Sequence, residues 1–202
     1  MKTTKKALLA LVCAVALVFG SVFATYAYLT STTDTVTNTF TVGKVEITLD
    51  EAPVDVDGKK TTGDRVIANT YKLIPGKTYD KDPTVHVQPG SEKCYVFVEV
   101  VNGIQAFVVD TIENQIVTTN VWTKLEDGVY YKTVEAVAED EAAVDLPVFA
   151  NFKVSDNANN VNGWKNIGKG NEIVVKAYAI QYAGFEGNVA GAWDTVSDAE
   201  NA

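Results

Sequence analysis

The chain is predicted to be all-β, a sandwich or jelly roll of antiparallel strands with one or two short helices behind an N-terminal signal helix. Three observations lead there. Thr, Val, Tyr and Phe recur in short runs suited to a pleated, half-buried surface. Apolar and polar residues alternate with the period of two that marks a strand with one wet face. Gly, Pro and Asp punctuate these runs at short intervals, and two facing sheets are the natural way to bury many short one-sided strands. At 202 residues the chain has room for a leader and one domain.

Residues 1–27 read as an export signal. Lys2, Lys5 and Lys6 form a basic head, residues 7–23 are apolar and uncharged, and the stretch ends on the small residue Ala27, which places the cut between Ala27 and Tyr28. A retained membrane anchor is the alternative, since the run nears the ~20 residues that span a bilayer. Val12 is too bulky to precede a lipoprotein cysteine at Cys13. Cleavage would remove three lysines and leave 14 Lys and Arg against 26 Asp and Glu, taking the net charge from −9 to −12. A chain so acidic is not expected to bind nucleic acid or an anionic membrane surface, both of which reward Lys and Arg. Membrane contact is expected only through the uncleaved signal. Cys94 alone remains after cleavage, so no internal disulfide can form, and its apolar neighbours place it in a buried strand.

Along the domain, 28–202, a Thr-rich run leads into residues 39–49, where Phe40, Val42, Val45, Ile47 and Leu49 alternate with polar partners; Gly43 breaks the phase as a bulge would. Residues 50–64 read as a charged loop. Pro75-Gly76 marks a turn, with Pro setting φ at its second position and Gly accepting positive φ at its third. Residues 85–87 can be only a short strand. Residues 93–101 form the strongest strand, apolar enough to lie mid-sheet and be covered on both faces. Asp127-Gly128 between 121–125 and 129–134 predicts a hairpin, and 173–182 predicts another long strand. Helices are expected over 136–143 and 188–199, the second burying Val189, Trp193 and Val196.

The chemistry-bearing residues are few. His86 is the sole histidine, so neither a multi-histidine zinc site nor a His-Glu-x-x-His motif can be built. No Gly-x-Ser-x-Gly elbow or phosphate-cradling glycine loop occurs. His86, flanked by Val85 and Val87, should face away from them to the surface. Asp55, Asp57 and Gly58 resemble a fragment of a calcium loop but lack its full pattern and distant Glu, so they read as a solvated loop, and 139–141 is an exposed acidic run. Trp122, Tyr130, Tyr131, Trp164 and Trp193 could line a sugar-binding face, but core packing suits them better. No catalytic residue, metal site or cofactor is expected.

The blocks Ala24-Thr-Tyr-Ala-Tyr-Leu-Thr30 and Asn38-Thr-Phe-Thr-Val-Gly-Lys-Val-Glu-Ile-Thr-Leu49 resemble the start of the mature TasA/camelysin proteins of Gram-positive bacteria, whose leaders are cut by a SipW-type peptidase. The likeness extends to 74–85, to 95–100, and to Ala179-Ile-Gln181 and Ala192-Trp193, but not to 102–170. It implies a jelly-roll-like antiparallel β-sandwich, secreted to the cell surface or biofilm matrix. There the freed N-terminal segment, matching 28–41 here and including the candidate donor residues Asn38, Thr39, Phe40 and Thr41, would donate a strand to the next subunit. It implies self-association into fibres, and contact with other matrix proteins. Alternatives are a camelysin-like metallopeptidase and a sugar-binding surface module. The chain lacks a C-terminal apolar tail and a Leu-Pro-x-Thr-Gly signal, so covalent wall anchoring is not expected.

Overall fold

The computed structural model describes residues 43–109, 112–168 and 171–200. The signal segment, its Ala27/Tyr28 junction and the candidate donor strand with Asn38, Thr39, Phe40 and Thr41 lie outside the described residues.

The described chain is all-β and sandwich-like, with antiparallel pairing throughout. Ten strands appear in order: β1 (Ile47–Asp50), β2 (Thr78–Asp80), β3 (Thr84–Val87), β4 (Cys94–Asn102), β5 (Val108–Val109), β6 (Thr123–Glu126), β7 (Val129–Val134), β8 (Val144–Pro147), β9 (Asn151–Val154) and β10 (Ile173–Gln181). Helix α1 (Ile112–Thr118) falls between β5 and β6, and α2 (Val189–Glu200) closes the described chain. Among the described residues no helix is long and apolar enough to cross a membrane.

One layer is the sheet β10-β4-β7-β6. The other comprises β1-β3-β8 and β2-β9-β5, which belong to one interrupted ladder. Thr78 faces Lys153 and Thr84 faces Pro147 in the same register, and the gap is bridged by Lys81 N–H to Ala150 C=O (3.1 Å) and Val148 N–H to Pro83 C=O (2.9 Å). Pro83 has no N–H to return the second bond, which is why the ladder thins there. The result is two four-stranded layers, β10-β4-β7-β6 against β1-β2/β3-β8/β9-β5. Early and late strands are neighbours in both, as in jelly-roll winding.

The main core lies between the layers and contains Tyr79, Val85, Val87, Val96, Val98, Trp122, Tyr130, Phe152 and Val154. Ile112 and Ile116 of α1 join it. A second, smaller core forms on the outside of the first layer, where α2 lays Val189, Ala192, Trp193 and Val196 over Tyr95, Phe97, Tyr131, Tyr178 and Ile180. β4 is shared by both: Cys94, Val96 and Val98 face inward, Tyr95 and Phe97 face α2, and all five are buried. That double burial accounts for its unbroken apolar run.

Several expectations hold. β4 lies mid-sheet, the Asp127-Gly128 hairpin joins β6 to β7, β10 is long, and the Pro75-Gly76 turn has Gly76 at φ +79° with Lys77 N–H bonding Ile74 C=O. Asn188 caps α2 through its Oδ1, which accepts from Gly191 N–H at 3.1 Å. Three differ. Residues 136–143 form no helix, because Val137 exchanges backbone bonds with Gly90 and Ser91 and is held extended, while the Glu141 carboxylate accepts from Ala138 N–H in a local turn. Residues 43–46 are neither strand nor bulge; Lys44 and Glu46 instead offer carbonyls to Glu92 and Gln88. Helix α1 was not anticipated: it turns only 7 residues, of which Ile112 and Ile116 alone are buried, too short a stretch for a 3.6-residue period to stand out.

Candidate functional site: the β10 sheet edge and its groove

Sheet edges carry unpaired backbone groups, and two of those here, β5 and β6, are blunted. β5 is two residues long; β6 is four, with Lys124, Glu126 and a register shift between them. β10 is different. It runs nine residues, Ile-Val-Val-Lys-Ala-Tyr-Ala-Ile-Gln, with one charge, no proline and no register shift, and among the described residues it pairs on one side only, with β4.

The direction of its free groups follows from the register. Tyr182 N–H bonds Lys93 C=O and Gly103 N–H bonds Glu172 C=O, both at 2.8 Å, so the even-numbered residues of β10 are the ones that bond to β4. The N–H and C=O groups of Ile173, Val175, Ala177, Ala179 and Gln181 therefore point away from the sheet. The side chains of the first four of these face the main core.

On the same flank β1 is the edge of the other layer. β1 and β10 approach within 8 Å between Cα atoms but share no ladder. A cavity of about 610 Å³ opens beside them, lined by Leu49, Glu51, Ile67, Asn69, Lys81 and Val174 among others. A second, of about 340 Å³, shares Asn69, Thr70, Lys81, Glu172 and Ile173 with it and reaches Tyr71, Ile104 and Phe152. Ile67 is 93% exposed beside the first. The two form one groove of mixed polar and apolar lining along the start of β10.

Polar groups brace the groove. Lys81 Nζ lies 2.7 Å from Glu51 Oε2, with side-chain exposures of only 12% and 6%. Asn69 bridges Val54 N–H and Ala52 C=O, and Asp82 Oδ1 accepts from Ala52 N–H at 2.7 Å. Burial raises the Asp82 carboxyl pKa, but hydrogen bonds from Lys60 and Ala52 and the charge of Arg65 outweigh it and hold the group below its ordinary range. The Tyr71 phenol, donating to Asp80 C=O, is pushed up by burial and by Glu51 and Asp82.

On the outer face of the second layer, His86 stands between two carboxylates. Its Nδ1 is 2.6 Å from Asp145 Oδ1 on β8, and its Nε2 is 2.9 Å from Asp50 Oδ1 on β1, which also pairs with Arg65. Val85 and Val87 are fully buried on the opposite face, as alternation requires. Burial lowers the histidine pKa, but the hydrogen bonds to Asp145 and Asp50 outweigh it, so the net shift is upward. The cluster ties three strands together and presents no adjacent hydroxyl or thiol nucleophile among its partners.

The other residues singled out from the sequence sit apart. The Asp55 carboxylate accepts from the N–H groups of Asp57 and Lys59, while Asp57 pairs with Lys77. Among the described residues no group of three or more His, Cys, Asp or Glu side chains is placed to hold a metal ion. Burial pushes the Cys94 thiol up to about 11. Trp122 is buried with its Nε1–H on Pro147 C=O, Tyr130 is buried, Trp164 packs on Phe107, and Tyr131 and Trp193 border the α2 core. Residues 139–141 are exposed. The groove itself was missed in the sequence; its one signal was the long, weakly charged run of β10.

Comparison with known proteins adds no relative: no family model, no curated protein and no solved structure matches this chain.

Proposed function

We propose that this is an exported, non-enzymatic structural protein of the cell surface or biofilm matrix, assembling into fibres when the N-terminal strand of one copy adds to the β10 edge of the next. The observation that carries the reading is β10, nine residues of apolar edge whose odd-numbered backbone groups are unpaired among the described residues and which borders an open groove. Strand addition satisfies such an edge with main-chain hydrogen bonds, while alternate side chains fill the groove beside it. The segment 28–41 suits the donor role by its Thr-rich composition, which favours an extended strand, and by the resemblance of its sequence to TasA/camelysin proteins. Donation from each copy to the next is head-to-tail and does not close, which is the geometry of a filament.

Electron microscopy and sedimentation of protein beginning at Tyr28, beside protein beginning after Thr41, test this. Filaments from the longer form alone support the reading; their absence from both forms sinks it. Ala177→Pro tests the acceptor. Residue 177 directs its N–H away from β4, so proline there removes no bond of the β10–β4 ladder. The variant is expected to stay folded by circular dichroism and to form no filaments.

A further inference from the structure

The chain contains two Asn-Gly pairs, 102–103 and 162–163, and the fold holds them differently. Asn-Gly is the dipeptide in which a backbone nitrogen most readily reaches the neighbouring side-chain amide, because glycine has no Cβ to obstruct the approach.

Asn102 ends β4. Its Oδ1 accepts from Ile104 N–H at 3.2 Å, and Gly103 N–H donates to Glu172 C=O at 2.8 Å. The Gly103 nitrogen is thus held by a bond that extends the β4–β10 ladder, and the Asn102 side chain is oriented by a local turn. Asn162 is exposed and takes the second position of a turn closed by Trp164 N–H on Val161 C=O at 3.2 Å. Gly163 has φ 92° and ψ −11°, and Asn162 is not at positive φ, which together define a type II turn with these two residues at its centre. The peptide between them is the one that the turn's own hydrogen bond leaves out. Neither its N–H nor the Asn162 side-chain amide has a hydrogen-bond partner among the described residues.

We propose that Asn162 is a site of spontaneous covalent modification, deamidating through a cyclic imide, while Asn102 is protected. The Gly163 nitrogen bonds to Asn162 Cγ and gives up its proton, the Cγ–Nδ2 bond breaks, and ammonia leaves. Water then opens the ring at either carbonyl to give aspartate or isoaspartate. The product gains a negative charge on a chain already at −9. The isoaspartate form also inserts a methylene into the backbone of the turn that seats Trp164 against Phe107, whose ring centroids are 5.8 Å apart.

The test is peptide mapping by mass spectrometry after timed incubation of the purified protein in mildly alkaline buffer, with isoaspartyl methyltransferase labelling to locate the isomer. Asn162 is expected to convert at least about tenfold faster than Asn102, since conversion at Asn102 must await local opening of the ladder. Repeating the incubation in urea should bring the two rates together. Equal rates in the folded protein, or a difference that persists unchanged in urea, would overturn the assignment. The Asn162→Gln variant should show no conversion at position 162 on the same timescale; labelling that persists there would also count against it.

Discussion

Lys81 and Glu51 show what a single residue decides in this molecule. Their ion pair lies almost out of water at the wall of the groove. Glu51 is also tied by its backbone, exchanging N–H and C=O bonds with Val66 at 2.8 Å. Its main chain is thereby held beside the groove, and its carboxylate is left buried without a counter-charge if Lys81 is lost. Lys81→Met is therefore expected to cost about 3 kcal/mol in urea unfolding, the low end for breaking a buried pair, because it strands a buried carboxylate, and the double variant Glu51→Leu with Lys81→Met should recover part of that. If the single variant is as stable as the parent, water reaches the pair more freely than its burial indicates. Nothing in the sequence singled out this pair, since it joins two lysine- and acid-rich stretches 30 residues apart. Cys94 and His86 were legible, because a strand's alternation fixes which way each side chain points once the strand is recognised.

At the scale of elements, the His86 cluster is a clamp on the edge strand β1, and it makes that clamp depend on pH. A histidine whose folded pKa is raised contributes stability that is complete below its unfolded value, about 6.5, and is lost as pH climbs through the higher folded value. Asp50, held below its ordinary range because Arg65 and His86 outweigh the effect of burial, works in the opposite sense: its contribution is present above about 3.8 and lost as acid protonates it. The thermal midpoint should thus be highest in mildly acidic solution and fall as pH rises past 6.5, with Asp50, Asp145 and Arg65 the charged groups involved. His86→Gln should flatten that alkaline limb; a limb unchanged in the variant would assign the slope elsewhere. Elements were legible where one local signal sufficed, as in β4, the β6–β7 hairpin and α2. They were misread where a distant partner decided. Residues 136–143 have helical composition, yet Gly90 and Ser91, some 46 positions earlier, take up the Val137 backbone. Helix α1 is fixed by Gln115, whose amide donates to Asn151 C=O and accepts from Ala150 N–H at the break between β8 and β9.

For the whole molecule, the sandwich class followed from alternation, but the ladder that runs through Pro83 and the groove beside β10 are properties of assembled layers and left no local mark. One consequence of the β10 register appears in isotope exchange. Its even-numbered amides are bonded to β4 and should hold their protons until the sheet opens, whereas those of residues 173, 175, 177, 179 and 181 face outward. In deuterium oxide a lone subunit should therefore label along this strand with a period of two, fast and slow amides in alternation. A subunit whose edge has been covered by a neighbour would lose that alternation and become slow at every position. The strand thus carries its own record of whether its far side is in water or covered.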